Sequence, residues 1–108
     1  MVTTLRELVL SGVTTGTSAE FDIGGADLKN VEVYAEWSAG VTAGTVMLES
    51  AARKGASPSG FWMNEGTTTF AANNTTRVGV TNRAFGAIRA RISSGVIGGT
   101  VDVYLLAK

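Results

Sequence analysis

The chain predicts an all-β fold: one antiparallel β-sandwich of about eight strands, of the jelly-roll type, spanning residues 1–108 as a single domain. Three observations carry this. Apolar residues recur with a period of two in nearly every segment, the spacing that puts them on one face of a strand. The gaps between these runs hold Gly, Ser, Asn and Thr, the residues of turns. The one segment with helical composition, Glu49 to Lys54, is short and soon followed by Gly55 and Pro58.

The most regular stretch is the last, Gly86 to Lys108, GAIRARISSGVIGGTVDVYLLAK. Ile88, Ala90 and Ile92 share one face of its first run, with Arg89, Arg91 and Ser93 on the other. Val101, Val103, Leu105 and Ala107 share one face of its second run, with Asp102, Tyr104 and Leu106 opposite. With SSGVIGG between them, the two runs predict a long antiparallel hairpin with one face in a core.

In chain order, Arg6 to Leu10 predicts a short first strand and Val13 to Ser18 a polar turn. Ala19 to Ile23 predicts a strand with Ala19, Phe21 and Ile23 on one face, stopping at Gly24-Gly25. Asn30 to Ser38 alternates Val31, Val33, Ala35 and Trp37 against Glu32, Tyr34, Glu36 and Ser38. Gly40 to Gly44 is expected to close a hairpin onto Thr45 to Ser50, where Val46 and Leu48 alternate with Thr45, Met47 and Glu49. Ala51 to Gly60, with the only proline, reads as a loop before Phe61-Trp62-Met63. Asn64-Glu65-Gly66 reads as a turn, Thr67 to Ala71 as a strand, and Ala72 to Thr75 as another turn. Arg77 to Thr81 is a strand with Val78 and Val80 inward, and Asn82 to Phe85 connects it to the closing pair. Eight short strands at roughly 8–14-residue spacing favour a Greek-key sandwich or barrel. The Cys–Trp–Cys pattern of an immunoglobulin sandwich is absent.

Composition narrows the function. Lys plus Arg equals Asp plus Glu at nine each, so no basic face advertises nucleic acid. No run approaches the ~20 apolar residues of a membrane span, and MVTTLRELVLSG lacks the basic start of a signal peptide, so use without Sec export is expected. Cysteine and histidine are both absent, which removes disulfides, thiolate chemistry and imidazole bases or metal ligands. A carboxylate-only glycosidase built on Glu32, Glu36 or Glu49 is disfavoured: Glu32 and Glu36 lie on a regular outward row, and strand residues four apart are about 13 Å distant. No enzyme and no cofactor is therefore expected. Only 17% of the residues are charged, a low share that fits equally a surface partly covered by other subunits and a monomer with a Thr-rich surface.

From Asn30 to Lys108, about three-quarters of the chain, the pattern resembles small virion proteins of tailed bacteriophages, especially head decoration or cement proteins with a jelly-roll fold. The segments that carry the resemblance are NVEVYAEWSAGVTAGTVMLESA, PSGFWMNEGTTTF and FGAIRARISSGVIGGTVDVYLLAK. It implies a non-enzymatic structural protein made in the host cytoplasm and carried on the outer capsid surface. Such a protein commonly forms a trimer, binds the major capsid protein and bridges neighbouring shell subunits. Similar chains occur in tail and fibre modules, so the alternative is a receptor-binding sandwich that recognises carbohydrate.

The candidate interface residues follow from the outward rows. Phe61, Trp62 and Met63 are three consecutive large apolar residues that cannot all face one core. They are an interface core, a plug for the end of the sandwich, or, through Trp62, a sugar platform. Arg89 and Arg91 face away from the core beside the strand of Glu49: either a cross-strand ion pair worth about 0.2–1 kcal/mol or a contact for an acidic capsid surface. Tyr34, Met47, Tyr104 and Leu106 also point outward, and a half-apolar outer face predicts either a sister subunit or cover by the chain's own loops, such as Ala51 to Gly60. Glu20, Asp22 and Asp27 surround Gly24-Gly25, but their spacing matches no calcium loop, so a solvated turn is expected and no metal.

Overall fold

The computed structural model describes residues 4–24, 28–37, 40–57, 59–70 and 75–108. Nine strands run through them: β1 Leu5–Val13, β2 Gly16–Thr17, β3 Phe21–Asp22, β4 Val31–Trp37, β5 Ala43–Ala51, β6 Met63–Thr69, β7 Thr75–Val80, β8 Ala87–Ile97 and β9 Val101–Ala107. A short 3-10 turn, Ser59–Phe61, is the only helical element among the described residues. The first sheet has the order β1-β9-β4-β7. The second has β2-β8-β5-β6, with β3 continuing the β2 edge along β8. Every pairing is antiparallel. Counting β2 and β3 as one interrupted edge strand, the chain passes repeatedly between two four-stranded layers, which is the jelly roll.

The inward rows fall where the alternation puts them. Val31, Val33 and Ala35 of β4, Val101, Val103 and Leu105 of β9, Val46 and Leu48 of β5, and Ile88, Ala90 and Ile92 of β8 form one core, nearly all fully buried. Trp37 meets Phe70 edge to face at 5.1 Å at one end. At the other end Arg83 N donates to Lys29 O, beside Leu28 and Phe85 of the same core.

The pairing differs from the sequence expectation in two places. β8 and β9 do not form a hairpin, and neither do β4 and β5: each pair is split between the two sheets. Period-two alternation is satisfied equally by side-by-side strands and by strands that face each other across a core, and here the apolar rows face each other. The links are long enough: the four Cα steps from Ile97 to Val101 reach about 13 Å, against a sheet separation of about 10 Å. The two crossovers also touch. Thr42 N donates to Ile97 O at 2.9 Å, and Gly40 packs on Gly98.

Two turns also differ. The segment expected to turn at Asn64-Glu65-Gly66 is strand, and the irregularity is a bulge between the Leu48–Gly66 and Glu49–Asn64 pairs. Asn64 Oδ1 accepts from Gly66 N at 2.8 Å, so local turn chemistry is spent inside a strand. The polar turn expected at Val13 to Ser18 is narrower: the chain bends at Thr14-Thr15, between the end of β1 at Val13 and β2. The turn expected at 72–75 lies outside the described residues but for Thr75, which begins β7.

Candidate functional site

The two sheets have opposite kinds of outer face. On the second sheet, Met47, Glu49 and Ala51 of β5 lie beside Arg91, Arg89 and Ala87 of β8. Glu49 accepts from Arg89 Nε at 2.8 Å and from Arg91 Nε at 3.2 Å, while Arg89 Nη1 lies 3.7 Å from Glu20 Oε2. The structure thus brings Glu49 together with both Arg89 and Arg91, the cross-strand partners expected, but the cluster is not a surface one: the Glu49 side chain is 6% exposed. The loop after β5 closes over the clamp. The Arg89 guanidinium lies 4.2 Å from the centre of the Trp62 ring, and Trp62 Nε1 donates to Ala56 O at 3.0 Å. Trp62, Ala51, Ala56 and Ala87 form a small core of their own outside the main one. Gly55 N donates to Glu20 Oε1 at 2.6 Å, tying the loop to the same network. Met47 is half-buried here, its sulfur 3.6 Å from Arg91 Nη2, and so lies apart from the tyrosines.

Phe61, Trp62 and Met63 divide as three consecutive apolar residues must. Trp62 is 6% exposed, whereas Phe61 and Met63 are 54% and 63% exposed. Trp62 is therefore no sugar platform: it is buried and Arg89 occupies one face. Asp27, the third carboxylate near the Gly24-Gly25 turn, lies outside the described residues. Of its companions, Glu20 is engaged by Arg89 and Gly55, and Asp22 Oδ1 accepts from Gly24 N at 3.2 Å.

Among the described residues, no loop covers the outer face of the first sheet in this way. Register places Leu8, Tyr104, Tyr34 and Arg77 in one row across all four strands, and Arg6, Leu106 and Glu32 in the next. Asp102 and Glu36 pair in a third row. Arg77 Nη1 donates to the Tyr34 hydroxyl at 2.7 Å and approaches Glu32 at 3.6 Å. Asp102 Oδ1 accepts from Gly12 N at 2.8 Å. A shallow depression of about 310 Å³ lies between Arg6, Tyr34, Glu36, Tyr104 and Leu106. Leu8, 47% exposed, extends the apolar strip to the sheet edge. Sequence reading missed Leu8, because a register shift between Leu8 and Leu10 breaks the alternation that would have shown its face.

The Tyr104 hydroxyl ionises above its usual range, chiefly because the Glu36 carboxylate disfavours a phenolate beside it. A raised value means that the protonated form is favoured in the folded chain. The contribution is therefore intact below about pH 10 and is lost as pH rises through the folded value. Glu36→Gln is expected to move the Tyr104 titration back toward pH 10, read by phenolate absorbance in a Tyr34→Phe background. An unchanged midpoint would show that Glu36 is not the cause.

No protein-family sequence profile matches the chain, and no curated protein matches it in sequence. Its architecture defines it as a jelly-roll β-sandwich protein. In fold it is similar to the crystal structure of the SPBc2 prophage-derived protein YomS, at 13% identity and a TM-score of 0.65 over 96% of this chain and 91% of that one. It is also similar to a structure of Bacillus endospore appendages, described as disulfide-linked pili, at 11% identity and a TM-score of 0.51 over 97% and 85%. At such identities the likeness is one of fold, and the cysteine-free chain has no means of forming the disulfide links of those pili.

Proposed function

We propose that this chain is a structural protein of a bacteriophage virion: a head decoration protein that binds the outer shell, bridges the major capsid protein subunits and associates with copies of itself as a trimer. The observation that carries the reading is the strip Leu8, Tyr104, Tyr34 and Leu106 on the first sheet, which no described loop covers, whereas the loop after β5 packs onto the outer face of the second. Tyrosines at the centre of a flat face, rimmed by Arg6, Glu32, Arg77 and Asp102, have the make-up of a subunit contact. The full-length fold likeness to a prophage-derived protein supports the phage setting. Bridging would stabilise a shell because each copy binds the assembled lattice through more than one subunit and gains little from a lone one.

The test mixes the protein with expanded, undecorated capsids of the phage that encodes it. Saturable binding that raises the shell's unfolding temperature is expected, and no binding would overturn the proposal. Light scattering should give about three times the 11.1 kDa chain mass. The pair Tyr34→Ala and Tyr104→Ala should lower that mass while leaving the unfolding transition cooperative.

A further inference from the structure

The described part of the β5–β6 loop, residues 52–57 and 59–62, lies over the second sheet, on the side opposite Tyr34 and Tyr104. Its end is built unusually. Trp62, the largest side chain, is turned inward and held by three contacts: Ala56 O, the Arg89 guanidinium and the alanines of the small core. Its neighbours Phe61 and Met63 are thereby projected outward, each more than half exposed. One exposed apolar residue is ordinary. Two, fixed on either side of a buried tryptophan, make a rigid apolar tip that loses little freedom on docking. The same loop carries Arg53 and Lys54, both exposed and, among the described residues, in no ion pair.

Resting on the decoration reading, we propose that this tip is the contact with the shell, and that it fits an apolar recess rimmed by acidic side chains on the outer capsid surface. Arg53 and Lys54 supply charge for which the loop itself provides no counterpart, so an acidic rim is their complement. A lipid surface fits less well: Trp62, the residue that favours a bilayer interface, is folded inside, and the chain carries no net positive charge. The molecule then presents two faces, one toward its own copies and one toward the shell. Trp62 acts as a positioning residue for the second.

The experiment titrates expanded, undecorated capsids with the wild type, Phe61→Ser/Met63→Ser, Arg53→Glu/Lys54→Glu, Trp62→Phe and Ile97→Ser. Ile97 is equally exposed but sits at the far end of β8, and so controls for loss of any surface hydrophobe. The two tip variants are expected to bind at least tenfold more weakly with unfolding temperatures near wild type, and Ile97→Ser to bind normally. Trp62→Phe, which removes the donor to Ala56 O, should weaken binding through a faster off-rate, and wild-type binding should fall with salt. Wild-type binding with both tip variants unimpaired overturns the tip while leaving the decoration reading intact. No wild-type binding overturns both. Phe61- and Met63-dependent binding to phosphatidylglycerol vesicles, with shell binding indifferent to them, also overturns the tip. Hydroxyl-radical oxidation of Met63 gives a readout on the unaltered protein: it should fall sharply on the shell, and undiminished oxidation refutes the contact.

Discussion

Glu49→Ala should lower the unfolding free energy by about 3 kcal/mol or more, the loss expected when one member of a buried ion cluster is removed and its partners stay behind. Arg89, with a side chain 13% exposed, would keep Glu20 at 3.7 Å as its one carboxylate, beside the Trp62 ring. Arg91 is 37% exposed and loses less, because water can solvate it. At several degrees per kcal/mol for a domain of this size, the midpoint of thermal unfolding should fall by roughly 12 °C or more. The loss belongs to uncompensated charge, not to a strong pair. Replacing both partners, Glu49→Met with Arg89→Leu, should therefore cost less than Glu49→Ala alone. Strict additivity in the double-mutant cycle of Glu49→Ala and Arg89→Ala would refute the coupling. Loss of Arg89 should also expose Trp62, shifting tryptophan emission to longer wavelength in a Trp37→Phe background.

Gly98→Ala should be of similar severity, about 3 kcal/mol, for a backbone reason. Gly98 has φ of +96°, and a β-carbon there would overlap the carbonyl of Gly40, itself at φ +114°. Strain in that region costs about 1–3 kcal/mol, and moving one crossover off the other costs a comparable amount. Gly55→Ala separates the two effects. Its φ is +79°, but nothing lies within 4 Å of the added carbon, so only the conformational cost of about 1 kcal/mol is expected. Equal denaturation midpoints for the two variants would mean that the crossovers do not press on each other.

Much of this architecture is legible in the chain, and the missing part has a definite cause. The rows Val31–Val33–Ala35–Trp37, Ile88–Ala90–Ile92 and Val101–Val103–Leu105–Ala107 are all buried, as alternation requires. What alternation leaves open is the partner: it says which side of a strand is apolar, not whether the next apolar strand lies beside it or across the core. The outward placing of Tyr34, Tyr104 and Leu106 follows from the same period. The burial of Glu49 and Trp62 does not, because it comes from a loop folding back over an outer face, a long-range event with no periodic signature. Leu8 escaped because one extra residue in β1 resets the count.

The split between β8 and β9 also governs how the molecule comes together in time. β9 is the partner of both β1 and β4, and β8 of β2, β3 and β5, so the centre of each sheet is supplied by residues 87–107. Without that segment, only the ribbons β4–β7 and β5–β6 have partners among the described residues, and an isolated two-stranded ribbon is marginal in water. Assembly must therefore wait for contacts distant in sequence, the regime of folding in milliseconds to seconds. During that wait Val33, Leu48 and the open strand edges are exposed, and the chain is most open to proteolysis and to pairing with the wrong neighbour.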